Sequence, residues 1–326
     1  MPPLNDRVAL VAGATRGAGR GIAVMLGEAG ATVYCTGRSV AGHPPRAGHY
    51  AGRPETIEQT AEQVSARGGH GVACRVDHGN EAEVARLAER VRHEHGHLDI
   101  LVIDFWGDEE PVPFGTPFWE IPLEAGRATV AKTLWPHVLT LQHLVPVVLA
   151  DRHRRSGPRI VVEVTDSAAL TYRTSLFFDL AATLRARLAF AIAEELAPHR
   201  VTALGVTPGY LRSEVTLDRF GVRESNWRDA VTQDPNFAAS ETPFLLGRGV
   251  AALAADPDVS RLAGGVYGSW ELAAEYDIRD VDGTQPDFGR HAATNPGFAP
   301  TRRSRAAWHV TRDTSLKYQS TQEARS

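Results

Sequence analysis

Short runs of β-branched and aliphatic residues alternate along the chain with longer stretches whose apolar positions recur every three to four residues. The first run, 8–12, opens directly into a glycine-rich turn, and a helical pattern follows over 19–29. The pattern then predicts a strand at 32–35, a helix over 56–67, a strand at 71–76, a helix over 80–95 and a strand at 98–103. It continues with a helix over 125–150, a strand at 159–164, a helix over 176–197 and a strand at 200–206. Strands that alternate with amphipathic helices require right-handed crossovers, which cover both faces of a parallel sheet. The expected fold class is α/β, a doubly wound parallel sheet of Rossmann type.

Three connections are longer than a compact sheet needs: 39–54, 108–122 and 210–243, the last expected to hold short helices. All three leave the carboxyl ends of strands, where doubly wound sheets bind ligands, so the second and third are candidates for a substrate pocket. Core patterning ends near Asp282, which gives one domain over 1–282 and a polar tail over 283–326. From Gly289 the tail is rich in Arg, Thr and Ser and lacks an apolar stripe. It is expected to be extended or disordered, with Trp308 available to anchor it on a partner subunit.

Composition narrows the function classes. Hydrophobic residues make up 43% and charged residues 23% of the 326, which suits a globular chain with a substantial core. A net charge of −4 gives no basic field for nucleic acid or for an anionic membrane. Cys35 and Cys74 each lie in a short apolar run and read as buried structural thiols rather than a disulfide or redox pair. The first thirteen residues lack a charged start and a long apolar stretch, and no segment reaches membrane-spanning length, so a cytoplasmic protein is expected. His93-Glu94-His95-Gly96-His97 looks superficially like a metal cluster. It falls at a helix end on the amino side of the sheet, where the helix dipole alone favours cations, and no metal is expected.

The turn after the first strand reads Gly13-Ala-Thr15-Arg16-Gly17-Ala-Gly19. Its glycines permit a tight turn and close backbone approach, and the helix it opens offers free N–H groups and a positive dipole to a pyrophosphate. The second strand ends in Thr36-Gly37-Arg38-Ser39. Arg38 is placed to grip a 2′-phosphate through a charge-assisted fork, and Arg16 to close on it from the turn. An exposed loop charge is the plainer reading of Arg38.

Over about residues 5–282 the chain resembles the short-chain dehydrogenase/reductase family. The resemblance rests on the Gly-x-x-x-Gly-x-Gly spacing, on Pro208-Gly209 after the sixth strand, and on Arg159-Ile-Val-Val-Glu-Val-Thr165-Asp166-Ser167. Members that prefer NAD usually carry an acidic residue where Arg38 stands, so the resemblance implies NADP(H). It also implies that Asp77 meets the adenine, and that Pro208, Gly209 and Ser213 or Thr216 meet the nicotinamide. The usual Asn-Asn-Ala-Gly after the fourth strand is replaced by Asp104-Phe105-Trp106-Gly107, so one cofactor wall is rebuilt.

The same resemblance places the family's serine at Thr165, with Ser167 close behind, and its asparagine loosely at Thr133. It places the proton-donating tyrosine and its lysine at Phe178 and Ala182, which lie one helical turn apart on one face. A phenyl ring and a methyl group cannot move a proton. The chain's two lysines, Lys132 and Lys317, are elsewhere, and Arg185 would have to reach back a full turn to replace the ammonium. Tyr172, with Arg173 beside it to lower its pKa, is the leading substitute donor. Asp104, Asp166, Asp179 and His137 are other titratable groups near the expected cleft, each equally readable as a cap or loop residue. Trp106, Phe114, Phe118, Trp119 and Tyr210, with Tyr172, are candidate walls of an aromatic substrate pocket, though strand-end packing also explains aromatic residues there.

Three readings stay open on sequence. The first is an NADP(H)-dependent reductase of an iminium or enone-type substrate, which needs no Tyr-Lys acid. The second is a non-redox cyclase, isomerase or lyase built on the same fold. The third is a catalytically silent scaffold or binding subunit. The long loops point to a bulky, specialised small molecule, and the resemblance implies a homodimer or homotetramer joined through the helices over 125–150 and 176–197.

Overall fold

The computed structural model describes residues 2–43, 50–105, 116–150, 157–165 and 176–295. The chain begins β1 (Val8–Ala12), α1 (Gly17–Glu28), β2 (Thr32–Gly37), α2 (Ile57–Ala66), β3 (His70–Arg75), α3 (Glu81–His95) and β4 (Ile100–Ile103). It continues α4 (Leu123–Leu149), β5 (Arg159–Val164), α5 (Leu176–Leu196) and β6 (Val201–Thr207). Among the described residues the main sheet has the order β3-β2-β1-β4-β5-β6-β9, with every pair parallel. Its seventh strand, β9 (Val266–Gly268), follows α7 (Pro243–Ala255) and precedes α8 (Ser269–Glu275). The chain runs outward from β1 to β3 and then returns to the other side of β1 at β4. The crevice at the carboxyl ends of β1 and β4 is therefore the topological switch point.

Local chemistry explains the element ends. Thr56 and Gln59 close a capping box at the start of α2. Asn80 caps α3, whose last turn carries Arg92, His93 and His95 before a left-handed Gly96. His97, at the end of the same histidine run, bonds the His95 carbonyl at 2.8 Å and lies 3.3 Å from Asp99. Side chains alternate across the buried strands into two cores, one against α1 and α7 and the other against α3, α4 and α5. α1 and α7 meet backbone to backbone: a Cβ on Gly21 would lie 2.0 Å from the Pro243 carbonyl oxygen. Cys35 and Cys74 are free thiols, and no helix among the described residues is long and apolar enough to cross a membrane.

The connection after β6 builds a small layer of its own. It contains β7 (Tyr210–Leu211), α6 (Glu214–Arg219) and β8 (Ser240–Glu241), and β7 pairs with β8. Its hub is Arg212, which is 2% exposed. The Arg212 guanidinium reaches Ser240, Glu224 and Asp282 and stacks 4.3 Å over Trp227. One expectation is corrected. The stretch from Gly289, expected to be extended or disordered for want of an apolar stripe, begins inside a helix, α9 (Phe288–Thr294). Phe288 anchors this helix, 6.0 Å from the Trp270 ring and 6.4 Å from Tyr210, and His291 bonds Asn236. One anchoring aromatic residue leaves no periodic signal. Residues 296–326, including Trp308, lie outside the described residues.

Candidate active site

At the switch point Gly13 has φ of +95°, and a Cβ there would lie 1.8 Å from the Asp104 carbonyl oxygen. Only glycine fits that conformation and that approach. Gly13 and Ala14 donate to the Thr36 carbonyl, and Asp104 donates to Ala12, so the turn is tied to β2 and β4. Gly19 is equally confined: its Cβ would lie 2.3 Å from the Gly13 oxygen and 2.9 Å from Asp104 Oδ2. The Asp104 carboxylate thus sits at the amino end of α1, where the helix dipole favours it, as part of the turn. Thr15 is buried beneath it, against Gly37.

Two acidic side chains that sequence reading did not single out occupy this end of the crevice. Glu214, at the start of α6, accepts from the Gly17 N–H at 2.8 Å and pairs with Arg20 at 3.1 Å. Ser213 beside it caps α6 by accepting from Thr216 N–H. Glu55 accepts from Arg16 Nε at 3.2 Å and from the Arg53 fork. Burial opposes its charge, but the hydrogen bonds from Arg53 and Arg16 hold its carboxyl below the ordinary value. Arg16 also reaches Ser39 Oγ and stacks over Tyr50, while Arg38 is exposed. Asp77 Oδ1 accepts from Gly79 N–H in a local turn. His78 lies buried between Thr36 Oγ1 and Thr140 Oγ1, and burial drops its pKa to about 3, with the His137 and Arg38 charges adding to the shift.

Beneath the carboxyl ends of β4 and β5 lies a buried pair. His137 Nδ1 is 2.7 Å from Glu163 Oε2, and Nε2 is 3.1 Å from the Phe105 carbonyl oxygen. Both side chains are at most 1% exposed. A carbonyl only accepts, so Nε2 carries a hydrogen, and the short Nδ1–Oε2 contact needs a second proton shared by the two groups. His137 is one of the titratable candidates singled out from sequence. Its partner's signal is a lone glutamate inside the apolar strand Arg159–Val164, which a buried parallel strand accepts only when paired.

On the facing helix α5, Phe178 is half-buried and Ala182 is buried one turn later. The Thr165 hydroxyl is also buried and donates to the Ala182 carbonyl at 3.1 Å, so it ties β5 to α5. Arg185, one turn beyond Ala182, is 1% exposed and donates to the Val164 carbonyl at 3.0 Å. At the far side, Gly209 N–H donates to Ser269 Oγ, which donates to the buried Glu241. Tyr210 donates to Asp234 and, half-buried, packs on Phe237 against the core of the small layer. Phe118 and Trp119 stack edge to face in an exposed turn. Trp106, Phe114, Asp166, Ser167, Tyr172 and Arg173 lie outside the described residues.

Strand order, the glycine turn at the switch point and the helices on both faces define a nucleotide-binding type of α/β fold. Residues 7–220 match the family model described as short chain dehydrogenase, and the chain belongs to that family. It is 31% identical over 292 residues to "Dehydrogenase/reductase SDR family member 1" of Mus musculus, covering 87% of this chain and 86% of that protein. It is 33% identical over 168 residues to "Versicolorin reductase 1" of Aspergillus parasiticus, covering 51% of this chain and 55% of that protein. Among solved structures, a short chain dehydrogenase from Mycobacterium thermoresistibile superposes with a TM-score of 0.69 at 17% identity, covering 91% of this chain and all of that one. A Shigella flexneri short chain dehydrogenase complexed with NADP gives 0.63 at 18% identity, covering 82% and 98%. At these identities the structures establish the shared fold.

Proposed function

We propose that the protein is an NADP(H)-dependent reductase whose substrate needs no Tyr-Lys acid. The observation that carries this reading is the pairing of an intact glycine turn with an apolar face at Phe178 and Ala182. A Cβ at Gly13 or Gly19 would strike the Asp104 or Gly13 backbone, so these glycines keep the turn tight at the amino end of α1, where a pyrophosphate would compete with Glu214 for the Gly17 N–H. Gly13, Thr15, Gly17 and Gly19 would hold the pyrophosphate end, and Arg16 would close on the 2′-phosphate from the turn. Arg38 and Ser39 would hold a 2′-phosphate, Asp77 the adenine, and Pro208, Gly209 and Ser213 the nicotinamide. The reduced cofactor supplies hydride when bound. An iminium carbon accepts it and is neutralised without a proton, while an enone needs one further proton at its α-carbon, from water or Tyr172. The Shigella flexneri relative, whose structure is a complex with NADP, is consistent with this cofactor.

The test is calorimetry with NADPH, using NADH as the control. Wild-type protein is expected to bind NADPH in the micromolar range, with Arg38→Ala weakening NADPH about tenfold or more and leaving NADH unchanged. Binding of neither nucleotide would sink the reading. One observation favours the second reading, non-redox chemistry in the same cleft: the Thr165 hydroxyl is spent on the Ala182 carbonyl. We also read the chain as a homodimer or homotetramer. α4 and α5 leave Leu123 80%, Trp135 59% and Leu180 41% exposed, a surface suited to a second copy. Sedimentation equilibrium is expected to give twice or four times the chain mass, and a monomer at micromolar concentration would count against it.

A further inference from the structure

The connection after β2 returns to the sheet near Tyr50 and brings a single buried acid among arginines. Both Glu55 oxygens face guanidinium groups: Arg53 reaches Oε1 at 2.5 Å and Oε2 at 2.9 Å, and Arg16 Nε reaches Oε2 at 3.2 Å. The Glu55 side chain is only 8% exposed. Arg16 is thereby held on three sides, by Glu55 at Nε, by Ser39 Oγ 3.4 Å from Nη2, and by the Tyr50 ring, whose centroid lies 4.5 Å from Cζ. The third Arg53 contact crosses to Asp218 on α6 at 2.8 Å.

A carboxylate beside an anion site would ordinarily weaken it. Here its two oxygens are turned toward Arg16 and Arg53, so that together with Asp218 on Arg53 the four side chains balance in charge. Arginine reads phosphate through the fixed geometry of its planar fork rather than through charge alone. A loosely held arginine would have to lose its rotamer freedom on binding. Fixing the fork lowers the rotamer entropy that Arg16 would otherwise lose on binding.

We infer that Glu55 is a positioning residue for phosphate recognition. It holds Arg16 so that its outer edge, with Ser39 and Arg38, reads a phosphomonoester on the 2′-carbon of an adenosine ribose. This sets a preference for the phosphorylated dinucleotide, and the inference rests on the nucleotide reading given above.

Calorimetry of the full chain with 2′,5′-ADP and with 5′-ADP tests it, on wild type, Glu55→Gln and Glu55→Asp. Wild type is expected to bind 2′,5′-ADP at least about tenfold more tightly than 5′-ADP. Glu55→Gln should erase that ratio while leaving 5′-ADP affinity unchanged, an effect that a merely structural role would not confine to one ligand. Glu55→Asp keeps the charge but loses the reach to Arg16, so it too should lose the ratio. It decides the matter if thermal unfolding shows that the glutamine variant is not folded. An unchanged or larger preference in the folded variants overturns the inference. Equal binding of both probes by wild type also overturns it while leaving a nucleotide site in place, and binding of neither removes site and inference together.

Discussion

Replacing His137 by leucine is expected to destabilise the protein by roughly 3–5 kcal/mol, the cost of leaving one member of a buried ionisable pair without its partner. The variant strands the Glu163 carboxyl in an apolar layer and removes the donor from the Phe105 carbonyl. Glu163→Leu should cost less, about 1–3 kcal/mol, because a neutral imidazole can still donate to Phe105 and only Nδ1 loses its partner. The double variant should recover most of the loss, since replacing both members of a buried pair with apolar groups is often close to neutral. Urea unfolding of the four proteins closes the double-mutant cycle. A His137→Leu cost below about 1 kcal/mol would show that water relieves the pair, against its near-complete burial. Such a result would also remove the pair as the fixed floor beneath the crevice.

The case of Glu163 shows how far sequence carries. β1 and β5 are legible to the residue because a buried parallel strand reads as a short, mostly apolar run, and both match the expected 8–12 and 159–164. The long helices are legible because their apolar period continues over many turns: α5, Leu176–Leu196, falls one residue short of the expected end. β9 has three residues and α8 seven, too few for either period to declare itself. The glycines of the turn are legible because Gly13 and Gly19 leave no room for a side chain and Gly17 takes a positive φ of +54°. The acids that meet them are not, because Glu214 lies 197 positions from Gly17 and Glu55 lies 39 from Arg16. Nothing local marks these contacts, since the fold alone brings such residues together. Thr165 illustrates the converse. Its position follows from the strand it ends, but its hydroxyl bonds a helix carbonyl 17 residues away, which depends on how α5 docks.

Glu241 should make stability fall as pH rises through the neutral range. Its side chain is fully buried, and burial pushes the carboxyl up from 4.5 to about 8. Asp280 adds to the rise, while Ser269, the Gly209 N–H and Arg212 oppose it. In the unfolded chain the same carboxyl ionises near its ordinary value of 4.5. Between 4.5 and about 8 the folded protein holds a proton that the unfolded chain has released. Raising the pH across that interval therefore favours unfolding, and above it the effect is constant. At roughly 1.4 kcal/mol per pH unit the whole interval corresponds to about 5 kcal/mol. Glu241→Gln cannot ionise and keeps an acceptor for Ser269, so its stability should lack this fall. Urea unfolding of both proteins at a series of pH values between 5 and 9 should show the variant gaining several kcal/mol relative to wild type. Parallel curves would mean that Glu241 ionises in the fold as it does in water. The consequence reaches the crevice, because Glu241 stands behind the Gly209–Ser269 contact and pairs in register with Leu211. A charge appearing there above pH 8 loosens the anchor of the segment that carries Ser213 and Glu214 to the glycine turn. Loss of order over 210–219 by hydrogen exchange should set in as the pH rises past about 8 and vanish in Glu241→Gln.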